Sequence, residues 1–317
     1  MWFKNIQIYR FEKPIAYQPE ALEEQLQQDL FSPCSALKPI SAGFVAPISQ
    51  DENDPLVFAQ QGYLCFCIKI QEKLLPPSVL REQHQIKVKE VEAKLGNRVS
   101  RGERQRLKEE LEHTLLAQAF SRSSYVYLFI NTHTQQLYID TCSNRKLQII
   151  HKLINPIFAG YYLSPYDIVS PSSVLTEWVR NKDYPATLSI LNRCTLQDIK
   201  TPKSKISMTH INVFDESVEQ LLDEQNQITQ LKMNWEEKVN FTIKHDFSIT
   251  QIQFMTEVKD LAKDGLSETE AERFAADFFV MAETLSQFMA DFLPPFIDTS
   301  ASSPVKETTR TEEAITA

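Results

Sequence analysis

The chain has 317 residues, 42% of them hydrophobic and 24% charged, with a formal net charge of −9. That composition suits a globular protein of two or three units with buried cores, and it excludes a histone-like coat of positive charge. The five cysteines, odd in number and without framework spacing, read as reduced thiols. The opening residues lack an apolar signal-peptide core, and no apolar run approaches a membrane span, so a cytoplasmic protein is expected.

Residues 2–11 are aromatic and isoleucine-rich and predict a strand. Residues 19–30 predict a helix with Leu22, Leu26 and Leu30 in step, and Phe31-Ser32-Pro33-Cys34 a turn. A second strand is expected at 43–46, a loop at 51–55, and a buried strand at 63–70 behind Gly62.

Residues 78–122 then form two helical patterns around a polar turn. The first carries Ile86, Val91 and Leu95 and stops at Gly96, which adopts a left-handed conformation without steric cost. Ser100 with Glu103 reads as a capping box for the second, whose Leu107, Leu111 and Leu115 recur at four-residue steps. The apolar residues are too few for a core, so the pattern is a projecting helical hairpin. Between His84 and Lys108 it carries Lys87, Lys89, Lys94, Arg98, Arg101, Arg104, Arg106 and Lys108. Only Glu90, Glu92 and Glu103 oppose these eight, a net of +5 on a chain of −9. A basic finger on an acidic body suggests a local site for a polyanion; by charge alone, a merely solvated arm remains equally open.

Residues 125–130 and 136–140 predict a hairpin, 144–158 a helix bearing Arg145, Lys146 and Lys152, and 161–163 a strand. The stretch 165–171 reads as a boundary between two units. Beyond it a short helix starts near Thr176, a strand covers 186–191, and Lys200, Lys203 and Lys205 form a second basic loop. A helix is expected at 217–224. Residues 227–243 and 249–254 suggest one long hairpin turning at 244–247. A last helix, capped by Ser267 and Glu270, repeats Phe274, Phe278, Met281, Leu285, Phe288 and Phe292, a stripe wide enough to be core. Residues 298–317 are Ser/Thr-rich and expected to be disordered.

Enzyme signatures are missing. The six glycines make no phosphate-cradling loop, the histidines are scattered, and no Gly-x-Ser-x-Gly elbow exists. Cys65 and Cys67 share one strand face but sit among Leu64, Phe66 and Ile68, which favours a buried structural pair over a metal site. Asp51, Glu52 and Asp54 read as a solvated loop rather than a Mg²⁺ cluster. Trp178 and Trp235 read as core. No catalytic residue, cofactor or metal is expected.

Collinear matches carry a family resemblance. They are Trp2-Phe3-Lys4-Asn5 with Tyr9-Arg10; Phe31-Ser32-Pro33-Cys34; and Gly43-Phe44-Val45 with Pro47. Glu72-Lys73, Leu75-Pro76 and Ser78-Val79 lead into the finger, and Leu115-Leu116 with Ala119-Phe120-Ser121-Arg122 close it. Thr176-Glu177-Trp178-Val179, Trp235 with Phe241, and Ala276-Asp277-Phe278 with Met281 and Glu283 follow in order. Together they resemble the bacterial RdgC family of recombination-associated DNA-binding proteins. The resemblance implies a ring-shaped homodimer whose positive hole passes duplex DNA with little sequence preference. It also implies a nucleoid-associated protein that restrains the RecA recombinase and is not an enzyme. Single-stranded DNA would be bound more weakly, since the finger lacks interleaved aromatics. Phe120 would sit where an aromatic helps close the ring. Two departures stand out: Gln118 replaces an Arg before Ala-Phe, and Thr209-His210-Ile211-Asn212 replaces a Lys-Lys-Gln cluster.

The resulting expectation is an α+β fold with mixed or antiparallel sheets. Residues 1–76 and 120–165 form a central unit, 77–119 the finger inserted in it, and 166–297 a second unit ending in the long helix. The candidate DNA contacts are the eight finger cations with Arg122, Lys200, Lys203 and Lys205, and the candidate dimer contact is Phe120. The alternative is an interaction module that dimerises through the finger and acts on a recombination or replication partner without touching DNA.

Overall fold

Stretches rich in β-branched and aromatic residues become strands, and the amphipathic stretches become helices that cover them. A computed structural model describes residues 1–15, 18–35, 37–50, 54–201, 203–263 and 269–298. In the first part of the chain lie β1 Asn5–Phe11, α1 Pro19–Leu26, β2 Ile40–Val45, β3 Phe58–Gln60 and β4 Tyr63–Lys73. The finger follows as α2 Pro77–Leu95 and α3 Arg101–Gln118, then β5 Ser121–Asn131, β6 Gln136–Ile139, α4 Asn144–Phe158 and β7 Leu163–Ser164. The remainder comprises α5 Pro171–Asn181, β8 Leu188–Asp198, β9 Lys205–Thr209, α6 Glu216–Asp223 and β10 Asn226–Trp235. It ends with β11 Val239–Lys244, β12 Ile249–Phe254, α7 Thr256–Leu261 and α8 Glu270–Phe292.

The strands join into one open antiparallel sheet in the order β2-β4-β5-β6-β1-β12-β11-β10-β8-β9, with β3 beside β4 and β7 beside β1. The fold is α+β, as expected. β1 is the seam: Asn5 and Ile6 pair with Thr250 and Ile249, while Gln7 to Arg10 pair with β6. Asp140 ties this seam, its Oδ1 accepting from the N–H groups of Lys4 at 3.0 Å and Asn5 at 2.9 Å. Burial there pushes its carboxyl up to about 6, against the lowering effect of those bonds.

Period-two alternation gives the sheet two faces. Phe66, Ile68, Leu128 and Leu137 pack against Leu22 and Leu26 of α1 and Ile150 and Ile154 of α4. On the other face α8 runs across both parts of the sheet. Near its start Phe274 and Phe278 meet Phe58 at 5.3 and 5.6 Å between ring centroids. Near its end Phe292 meets Phe241 at 5.0 Å and Phe296 at 5.1 Å. Trp178 and Trp235 are buried in the same core, and the Trp235 indole donates to Asp291 at 2.9 Å. Each fully buried aromatic on α8 contributes roughly 2–3 kcal/mol of burial.

Gly43 shows a close approach that the sequence does not announce. A Cβ there would lie 2.5 Å from the Phe31 backbone, where the chain passes over β2 and the Phe31 N–H bonds Phe44 O at 3.1 Å.

Several expectations need correction. Residues 227–243 are two strands, not one long arm: β10 and β11 turn at Trp235-Glu236-Glu237-Lys238, with φ of 45° and 55° at the two glutamates. Both central residues of such a turn are left-handed, a geometry normally signalled by Asn-Gly, so Glu-Glu concealed it. The turn at 244–247 is present, linking β11 to β12. Ser267 lies outside the described residues; the capping box of α8 is Thr269 with Glu272. Ser100 accepts from the Glu103 N–H at 3.3 Å, the backbone half of its predicted box. α1 ends at Leu26 and continues as a 3-10 turn over Gln27–Asp29 rather than helix to residue 30. β3, β9 and α7 carry too few residues to show a period. Of the expected tail, residues 299–317 lie outside the described residues.

Candidate nucleic-acid interface

The finger leaves the sheet between adjacent antiparallel strands: α2 follows β4 and α3 leads into β5. Pro77 opens α2, where its missing N–H costs nothing, and Gly96 ends it at φ 69° with its N–H on Glu92 O. At about 1.5 Å per residue, the 19 and 18 residues of α2 and α3 project nearly 30 Å. Only Val88 and Leu80 of α2 and Val99 of the turn are buried along it, and no residue of α3 is buried.

Polar bonds hold the tip. Glu92 Oε1 accepts from the Arg104 guanidinium at 2.7 Å and from the Val99 N–H at 3.1 Å. The Arg104 hydrogen bond, then that of Val99, hold the Glu92 carboxyl below its usual range. Arg104 O also accepts from His84 Nε2 at 2.9 Å, which fixes the proton on that nitrogen because a carbonyl cannot donate.

All eight finger cations are exposed. Arg104 is committed to Glu92, and Lys87 lies 3.8 Å from Glu90. Lys89, Lys94, Arg98, Arg101, Arg106 and Lys108 have no ion-pair partner among the described residues. Across both helices and the turn, nine basic residues face seven acidic ones, since Glu82, Glu109, Glu110 and Glu112 crowd the sheet-proximal end. The positive charge therefore belongs to the distal part of the hairpin.

The other candidates lie elsewhere. Arg122 is exposed at the root of the finger, bonded to Glu72 at 2.9 Å, and Arg145 takes the second Glu72 oxygen at 3.2 Å. Lys200 and Lys203 occupy the β8–β9 turn and Lys205 opens β9, all exposed. From β5 to β8 the sheet takes six inter-strand steps, roughly 30 Å at about 4.8 Å each. Finger and loop are thus two separate basic regions. Phe120, between α3 and β5, is 87% exposed, so it is not a core residue of the single chain. Leu74, whose N–H donates to Phe120 O at 2.7 Å, and Val79 of α2 are also exposed, at 44% and 40%.

Cys65 and Cys67 are buried, and burial pushes both thiols up, Cys67 to about 12. Among the described residues no three His, Cys, Asp or Glu side chains gather as metal ligands would. Asp51 and Glu52 lie outside the described residues, and Asp54 is exposed. No helix among the described residues is long and apolar enough to cross a membrane.

The sequence reading missed Arg193, Lys232 and Lys244, which stand singly on β8, β10 and β11. They alternate with buried Cys194, Leu231, Met233 and Ile243, and a lone cation per strand leaves no clustered signal in sequence.

Known proteins resemble the chain along almost its whole length. The family model described as "Putative exonuclease, RdgC" matches residues 1–297. The recombination-associated protein RdgC of Tolumonas auensis is 31% identical over 294 residues, covering 92% of this chain and 97% of the relative. That of Aeromonas hydrophila is 30% identical over 290 residues, covering 91% and 95%, and that of Yersinia enterocolitica 26% over 294, covering 92% and 97%. With a family model spanning the described fold from β1 to the end of α8, the chain belongs to the RdgC family.

Proposed function

We propose that this protein binds DNA without reading its sequence, encircles the duplex as a ring-shaped homodimer, and modulates homologous recombination by restricting RecA access. The observation that carries the reading is the distal finger, with eight exposed basic residues against three acidic ones on a chain of −9. Phosphate neutralisation alone yields sequence-independent affinity and needs no base-reading side chain. The relatives' names supply the recombination context. Exposed Phe120 supports the homodimer, because a phenylalanine 87% open to water gains by burial in a partner. No catalytic step is proposed: the family model's description names an exonuclease and the relatives' names recombination alone, and incubation with Mg²⁺ separates the two. Association with the nucleoid follows from DNA binding.

The test is affinity against salt on two unrelated duplexes and one single strand. A log–log slope of about −4 to −8, alike on both duplexes and with weaker single-strand binding, is expected. A flat slope, or no binding at low salt, sinks the reading. Reversing charge at Arg98, Arg101 and Arg104 is expected to weaken both duplexes equally, by about tenfold or more. Phe120→Ala is expected to shift the mass in solution towards monomer; an unchanged dimer removes Phe120 from the interface. DNA incubated with the protein and Mg²⁺ keeps its length on this reading, and shortening would establish nuclease activity instead.

A further inference from the structure

Away from the finger, cations gather at the seam of the sheet. A surface cleft of about 610 Å³ is lined by Lys4, Arg193, Lys232 and Lys259, with Gln251 and Gln253 among them. The four cations come from separate places: the residue before β1, β8, β10 and α7. Lys4, Arg193 and Lys259 are exposed and Lys232 is half-buried. None of the lining residues is acidic, and none of the four cations has an ion-pair partner among the described residues. The nearby carboxylate of Asp140 is occupied by the backbone N–H groups of Lys4 and Asn5. β9, β10, β11 and β12 contain no Asp or Glu at all, although the chain has 42.

The backbone is irregular at the same place. Register shifts in the β11–β12 ladder between Asn240 and Thr242, and Gln251, left over on β12, takes φ 56°. A non-glycine residue rarely adopts that conformation, and a bulge redirects a side chain out of its strand alternation. Gln251 Oε1 accepts from the Thr242 hydroxyl at 3.3 Å, which leaves its amide N–H groups as donors at the cleft.

The geometry points to this cleft as a second phosphate-contact site, taking the phosphodiester backbone of the DNA bound in the proposed function, on which the inference rests. Four like charges without carboxylates repel one another, and a polyanion relieves that repulsion. The two glutamines supply neutral donors of the kind that position phosphate oxygens. Between β5 at the root of the finger and β10 lie five inter-strand steps, about 24 Å, so the cleft and finger are independent contacts.

The experiment compares the full chain with the double variant Arg193→Gln, Lys232→Gln and with the finger triple reversal, on the same duplexes across salt. Each lost phosphate contact removes about 0.9 from the salt slope, so the double variant is expected to lose nearly 2 and to weaken both duplexes about tenfold. Dimer mass and melting temperature stay those of the parent. Should the double variant fail to fold, Lys4→Gln with Lys259→Gln, both at exposed positions, gives the same reading. Parental slope and affinity in a folded cleft variant, with the finger reversal impaired, overturn the cleft and leave the proposed function standing. Loss in the cleft variant with an intact finger reversal upholds the cleft and removes the finger as a contact. A parent chain that binds no DNA overturns both.

Discussion

α3 and α8 are both amphipathic, and their fates differ. α3 presents Leu107, Leu111 and Leu115 and buries none of its residues; α8 buries nine, among them Phe278, Phe288 and Phe292. Both apolar stripes are regular, so periodicity does not separate them. Width does. A single row of leucines can cover one neighbouring helix, and α3 packs chiefly on α2. The aromatic stripe of α8 is wide enough to fill the gap over two parts of a sheet. The lesson is that α8 is held by the body of the protein, whereas the finger is held by local bonds and is free to carry charge into water.

That contrast can be broken at the α8 end with the largest effect. Phe292→Ala removes a ring packed against Phe241, Phe288 and Phe296, and is expected to cost about 3–5 kcal/mol in urea unfolding. A loss under about 1 kcal/mol would mean that the stripe is not the organising core. Gly43→Ala forces a methyl onto the Phe31 backbone and is expected to cost about 1–3 kcal/mol, read as a lower melting temperature.

The β1 seam responds to pH through Asp140. Because the Asp140 carboxyl is raised to about 6, the folded protein binds its proton more tightly than the unfolded chain. Its contribution therefore weakens as pH rises from about 4 through 6, by up to about 3 kcal/mol. Asp140→Asn keeps an acceptor for the Lys4 and Asn5 N–H groups and should flatten that part of the stability–pH curve. An unaltered curve would place the titration elsewhere.

The smallest effects belong to the finger. Leu107→Ala is expected to change global stability by less than about 1 kcal/mol, because the side chain is only half-buried. Glu92→Gln should speed amide exchange at Val99 and in the tip while global unfolding stays put, and it should strengthen DNA binding by removing an acid among the cations. Exchange that is unchanged at Val99 would show that Glu92 does not tie the hairpin.

Much of the architecture was legible. The Gly96 stop, the Ser100 cap, and the 144–158 helix follow from local rules of capping and period, and the structure has them at those residues. The turn at Glu236-Glu237 was not, because its left-handed residues are stabilised by the strands it joins rather than by their own preference. β9 was hidden by length, and the cleft by dispersal: Lys4, Arg193, Lys232 and Lys259 are far apart in sequence and meet only through strand order.

The finger, its charge, the broad α+β character and the family follow from residue order alone, since each depends on neighbours within a few residues or on matches in order along the chain. The exposure of Phe120, the hold of Glu72 on both Arg122 and Arg145, and the meeting of four scattered cations in one cleft arise only when the chain folds. Burial and charge proximity are set by which strands pair, β4 with β5 for Glu72 and Arg122 and β1 with β12 at the cleft, and that pairing is non-local.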